Sequence, residues 1–270
     1  MTHTSMPQTD AQANTDLLAQ ASRTGRLTAV IGPKTRLGAE VLAQAKARGD
    51  ATVVIARGEV DEAVLADIGH DVRRPAEVAA ALTAGTGGPR DKNLSVHLVI
   101  CALGPVHTWQ TAIDREVVAR ELGAIEEILV ATTGTTGTTR VSYVSSVVAL
   151  APGADRRSYA GWKLLIEHRL REITARHGAQ LSVVYPGRLV EPADVQKPWH
   201  RLHTLYSRLA AHLEQLGRKG PSSKVIGLDA RLWLLLRGLS VSAVSVTGNG
   251  GSARTTKSEG PAAPNQEFRS

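Results

Sequence analysis

At 270 residues the chain is at the upper end for one hydrophobic core, and its 42% hydrophobic content supports a folded protein. Aromatic residues are only 3%, so Ala, Val and Leu must fill the interior; a single cysteine, Cys101, excludes an internal disulfide and any multi-cysteine metal site. The net charge of +7 and pI near 9.8 suit an anionic ligand, but no compact Lys/Arg block with interleaved aromatics is present, so nucleic acid is not expected as a partner.

Residues 1–25 are rich in Thr, Gln, Ser and Asp and lack the apolar core of a signal peptide. They read as a flexible arm with helical character near 16–22. No run approaches the roughly 18 apolar residues of a spanning helix, so a soluble, cytoplasmic protein without membrane contact is expected. Order begins with the β-rich run 27–31, followed by Gly32 and a helical pattern over about 37–46. A second apolar strand spans 51–56, and 60–68 reads as a short helix. Asp71 and Val72 end a short strand, a helix starts at 75–82, and 85–93 is a polar loop. A strand at 96–101 leads to helical periodicity over 109–131 and a Thr/Gly loop at 132–139.

The segment 140–187 carries the most chemistry. Residues 141–145 form a buried-strand pattern with Ser146 at its end. Apolar residues at helical spacing over 159–177 place Tyr159 and Lys163 near a helix start, four residues apart on one face. A strand at 181–185 closes with Pro186-Gly187. Residues 188–224 form a long, partly helical, basic segment, followed by a helix at 228–239 and a strand at 241–246. The rest is polar and Gly/Pro-containing, and 252–270 is expected to be a flexible tail.

Strands alternating with helices imply parallel βαβ units in one domain over 26–251, an α/β doubly wound sheet of the Rossmann type. Ligands of such sheets lie beyond the carboxyl ends of the strands, where Gly32, Arg57, Cys101, Ser146 and Pro186 all fall. A free tyrosine, with a pKa of about 10, is a poor base. A lysine cation one turn away favours the phenolate, and a serine hydroxyl can hold a substrate oxygen while the tyrosine moves its proton. That set suits a carbonyl/alcohol interconversion, with the hydride coming from a cofactor because no side chain supplies one.

The loop Gly32-Pro-Lys34-Thr-Arg36-Leu37-Gly38 enters a helix where glycines let backbone approach a pyrophosphate. Arg57, after the second strand, either accommodates the 2′-phosphate of NADP, with Lys34 and Arg36 adding charge, or points to solvent. NADP(H) is therefore expected ahead of NAD(H).

Together these residues resemble the short-chain dehydrogenase/reductase family over 27–251. The resemblance implies that Tyr159 is the acid/base, that Lys163 lowers its pKa and binds the nicotinamide ribose, and that Ser146, thirteen residues before Tyr159, orients the substrate carbonyl. It also implies adenine contacts for Asp71-Val72, a cofactor-lining role for Cys101-Ala102-Leu103-Gly104, and a nicotinamide contact for Pro186-Gly187. Thr247-Gly248 resembles the Thr-Gly near the family's last strand.

Some positions depart from the family pattern. Ile31 and Arg36 replace a threonine and the middle glycine of the loop. The loop is similar to that of pteridine reductases, although those tend to carry aspartate where this chain has Ser146. Glu121 stands where a helix asparagine usually supports a proton-relay water, and Glu191 where a threonine follows Pro-Gly.

The family builds its substrate lid at about 188–224. Here that segment is basic, which reads either as a site for an anionic or polar substrate or as a solvated helix face. His200 and His203 lack a suitably spaced third ligand, so no metal is expected. The reading is an NADP(H)-dependent oxidoreductase acting on a small carbonyl or alcohol, as a homodimer or homotetramer. Alternatives are a pteridine-reductase-like enzyme and a catalytically weak NADP-binding regulator or scaffold.

Overall fold

A computed structural model of the chain describes residue 17 and residues 19–32, 35–55, 71–84, 91–103, 115–133, 136–195 and 197–247. Two compact units divide the chain, 1–234 and 235–270, and the sheet and the site belong to the first. The expected helix at 60–68, with Arg57 and Lys34, lies outside the described residues.

Seven parallel strands form the main sheet: β1 (Arg26–Ile31), β2 (Ala51–Ile55), β3 (Asp71–Arg73), β4 (Asp91–Ile100), β5 (Thr136–Val144), β6 (Gln180–Pro186) and β9 (Ser223–Ile226). Their spatial order is β3-β2-β1-β4-β5-β6-β9, which reverses direction between β1 and β4. That reversal opens a crevice at the carboxyl ends of the strands. Two short strands, β7 (Leu189–Val190) and β8 (Thr204–Leu205), pair separately.

The helices are α1 (Arg36–Ala47), α2 (Pro75–Ala84), α3 (Arg115–Thr132), the short α4 (Val147–Leu150), α5 (Arg157–Arg176), α6 (Tyr206–Leu216) and α7 (Leu228–Thr247). Because side chains alternate along a strand, each inner strand feeds two cores. Leu27, Ala29 and Ile31 pack with Leu98, Tyr143, Ile125 of α3 and Ile166 of α5. Val30, Val54, Val99 and Val184 pack on the other face against Leu37 and Val41 of α1 and Leu209 and Leu213 of α6. The sheet is thus covered on both sides. Leu17 and Ala21, within the segment expected as an arm, are buried in the first of these cores.

At the opposite end of the sheet from the crevice, Arg26 and Arg48 meet Asp50 and Glu214. His97 is enclosed beside them, its Nε2 2.9 Å from Ser142 Oγ. Burial, then the Arg26 guanidinium, lowers its pKa to about 3, so it is neutral.

Two element expectations are corrected. Residues 241–246 are helical, continuing α7 to Thr247, and the strand beside β6 is Ser223–Ile226 from the basic segment. The Val-rich run mimics a strand, but β9 already fills that edge and the helix opened at Leu228 continues through it. The Thr/Gly loop ends early, because β5 begins at Thr136, where β-branched threonines suit a pleated strand.

Candidate functional site

Ser146 leaves β5 and caps α4, its Oγ accepting from Val148 N–H at 3.3 Å. Tyr159 lies in the first turn of α5 and is buried. The Ser146 hydroxyl lies near enough to act on the Tyr159 phenol electrostatically. Lys163, one turn further on, is also buried. Its Nζ donates to the Leu103 carbonyl at 3.1 Å and stands 5.8 Å from the Tyr159 ring centre and 5.6 Å from that of Tyr143. The helical period and the end of β5 thus bring Ser146, Tyr159 and Lys163 together.

The electrostatics differ from the expectation that Lys163 lowers the Tyr159 phenol. Burial raises the Tyr159 pKa above the ordinary phenol value, partly offset by the neighbouring Ser146 hydroxyl and Arg156. Lys163 is itself depressed to about 8, because burial disfavours its ammonium, while Glu121 on α3 pulls the other way. The physical reason is that both groups are desolvated together and the ammonium is turned to the Leu103 carbonyl. At neutral pH Tyr159 is a protonated donor. The buried Tyr143 hydroxyl beneath has no hydrogen-bond partner among the described residues.

The crevice over β1 and β4 has the form of a nucleotide cradle. Gly32 adopts φ +83°, and a Cβ there would lie 2.8 Å from Ala102 Cβ and 2.9 Å from Ala102 N. Any other residue would be strained and would push the two strand exits apart. Thr35 Oγ1 donates to the Gly32 carbonyl at 2.7 Å and accepts from Gly38 N–H at 3.0 Å, capping α1 at the rim. Leu37 and Gly38 are buried, Leu37 in the core. Cys101 N–H donates to the Ile31 carbonyl at 3.0 Å, and burial pushes its thiol pKa up to about 12, which disfavours the thiolate at neutral pH. Asp71 and Val72 lie on β3 beside Val53 and Val54 of β2. Pro186 ends β6, and Gly187 N–H donates to the Ile226 carbonyl at 3.2 Å. A glycine where a Cβ would collide, a capped helix start and a buried ammonium on one rim fit a dinucleotide.

Sequence reasoning missed Asp229. Its carboxylate accepts from Arg188 N–H at 2.8 Å, from His203 Nδ1 at 2.9 Å and from Ala230 N–H at 2.8 Å. A Cβ on Gly187 would lie 2.5 Å from it, and one on Gly227 (φ +103°) 2.6 Å. Asp229 therefore ties the chain leaving β6 to the start of α7. The available signal was an acid in the first turn of a helical pattern just after a glycine. Also missed was the ion pair between Arg36 Nε and Glu191 Oε1 at 2.5 Å, which joins two positions that each depart from the family pattern. His200 Nδ1 bonds the Asp194 carbonyl at 2.6 Å, and no group of three metal-ligating side chains is found among the described residues.

The strand order, the crevice and the Ser-Tyr-Lys cluster direct comparison to known folds. A short-chain dehydrogenase from Burkholderia cenocepacia, in complex with NADP, matches with a TM-score of 0.54 at 17% identity, over 82% of this chain and 95% of that one. The fold is that of the short-chain dehydrogenases/reductases. An oxidoreductase of the short-chain dehydrogenase/reductase family from Burkholderia thailandensis gives 0.54 at 18% identity, over 82% and 97%. A UDP-N-acetylglucosamine 4-epimerase from Bacillus cereus gives 0.50 at 14% identity, over 74% and 77%. No protein-family model and no curated protein matches the sequence. The dehydrogenase/reductase fold thus hosts both oxidoreductases and an epimerase, so the chemistry of this chain must be argued from its own residues. No described helix is long and apolar enough to cross a membrane.

Proposed function

We propose that the protein is an NADP(H)-dependent oxidoreductase of the short-chain dehydrogenase/reductase type that reduces the carbonyl of a small molecule. The observation that carries this reading is the buried Tyr159, packed against Val147 and Val148 next to Ser146, with the Lys163 ammonium 5.8 Å from its ring. The nicotinamide, when bound, supplies the hydride to the carbonyl carbon. Ser146 Oγ holds the substrate oxygen, and Tyr159 gives its phenolic proton to that oxygen as it becomes a hydroxyl. The raised Tyr159 pKa favours this direction, because the phenol is protonated at neutral pH. Lys163 would hold the nicotinamide ribose and oppose negative charge on the phenol after transfer.

Gly32, Lys34, Arg36, Leu37 and Gly38 would hold the pyrophosphate, with Arg57 at the 2′-phosphate and Asp71 and Val72 at adenine. Cys101, Ala102 and Leu103 would line the cofactor, and Pro186 and Gly187 would flank the nicotinamide. Arg188, on the basic segment as it leaves β6, supports an anionic or polar substrate, and the pteridine-reductase-like loop makes pterins candidates. Apolar side chains exposed on α3 and α5 support a homodimer.

Purified protein with NADPH and a panel of ketones, quinones and pterins tests the proposal. Turnover of a panel member, lowered roughly 10²–10⁴-fold by Tyr159→Phe with NADPH affinity kept, is the expected result. A second reading, an NADP-binding regulator, is favoured by the Arg36–Glu191 pair beside the cradle. Tight NADPH binding without turnover of any panel member would select it.

A further inference from the structure

We propose that a cavity between α6, β9 and the first turn of α7 is a second binding site, for a small organic anion carrying phosphate or carboxylate on an apolar body. The cavity holds about 400 Å³, enough for a small metabolite. Arg201, Arg208 and Arg231 line it, and no acidic residue does. None of these three side chains has a carboxylate partner among the described residues. Val225 and Ile226 of β9 give the cavity an apolar wall.

His212, on the α6 wall, reports the local potential. Its Nε2 is enclosed and has no hydrogen-bond partner among the described residues. Burial lowers its pKa, and the Lys224 and Lys219 ammonium groups lower it further. Three arginines therefore line a concave, partly apolar surface whose one adjoining carboxylate, Asp229, is taken up by His203 and backbone N–H groups. An anion is the missing complement, and planar guanidinium groups favour phosphate or carboxylate oxygens. An apolar body on the ligand would use the β9 wall, which inorganic phosphate cannot.

The site is separate from the dinucleotide crevice. Its β9 wall borders β6, but its lining includes none of Gly32, Ser146, Tyr159, Lys163, Pro186 or Gly187.

The test is an NMR titration of the His212 ring in the full-length protein saturated with NADPH, with phenyl phosphate and inorganic phosphate as probes. A saturable His212 shift is expected, with phenyl phosphate binding about tenfold tighter than inorganic phosphate. Arg208→Ala and Arg231→Ala should each weaken phenyl phosphate about tenfold. Arg169→Ala, which removes an exposed charge from α5, should change nothing; circular dichroism checks that each variant is folded. No saturable shift, or equal weakening by Arg169→Ala, would overturn the proposal. So would a His212 response to duplex DNA without one to phenyl phosphate, which would make the basic wall a nucleic-acid surface.

Discussion

Tyr159 and Lys163, the pair proposed to react, are tuned mainly by burial. Tyr159 is raised above the ordinary phenol value, so it remains a proton donor across neutral and mildly alkaline pH. Lys163 is lowered to about 8, so its positive charge is present below that pH and lost above it. The alkaline fall of kcat/KM for carbonyl reduction should therefore report Lys163 and not Tyr159. Glu121 raises the Lys163 pKa through its negative charge. Glu121→Gln removes that charge, and the alkaline fall should move to lower pH while the rate on the acid side is kept. A uniform loss of rate with the fall unmoved would make Glu121 a packing residue with no electrostatic part.

Among the elements, the crevice is flanked by the start of α1 and the chain that follows β7, and these meet through Arg36 and Glu191. Arg36 is 63% exposed and Glu191 30%, so the pair contributes only about 0–1 kcal/mol to stability. Its effect should fall on cofactor binding. Glu191→Gln frees the guanidinium for the pyrophosphate and should tighten NADPH, whereas Arg36→Ala should weaken it about tenfold, both without a change in thermal midpoint. Fluorescence titration with NADPH reads the difference; equal weakening by both variants would instead make the pair a structural clasp. The sequence could not reveal this contact, because 155 positions separate its partners. Strands such as Ala51–Ile55 were legible because burial on both faces requires an unbroken apolar run. β9 was not, because it is short and begins Ser-Lys, and the Val-rich end of α7 was the better strand by composition. The placing of Tyr159 beside Lys163 was legible because a helical period alone sets it. Their pKa values were not, because they depend on how deeply the tertiary fold encloses those groups.

At the scale of the whole molecule, the outer surface carries large exposed apolar side chains on two neighbouring helices. Val130 on α3 is 54% exposed, and Leu164 and Leu165 on α5 are 44% and 43% exposed, directly after Lys163. α3 and α5 pack against each other, so these side chains lie on neighbouring helices. Large exposed leucines on adjacent helices are a liability in a monomer and an asset in a two-fold interface, where each copy covers the other. A stable interface of this kind covers about 800 Å² on each partner, within reach of two helices with their flanking side chains. Light scattering should give a mass of at least twice the 28.6 kDa chain. The double variant Val130→Glu, Leu165→Glu should give a single chain, because a glutamate pair facing its symmetry mate is both repelled and desolvated. Circular dichroism and NADPH titration should remain near wild type, since neither side chain faces the core or the crevice. A wild-type protein that scatters as a monomer would remove the interface from these helices and leave the exposed leucines as a surface for some other contact.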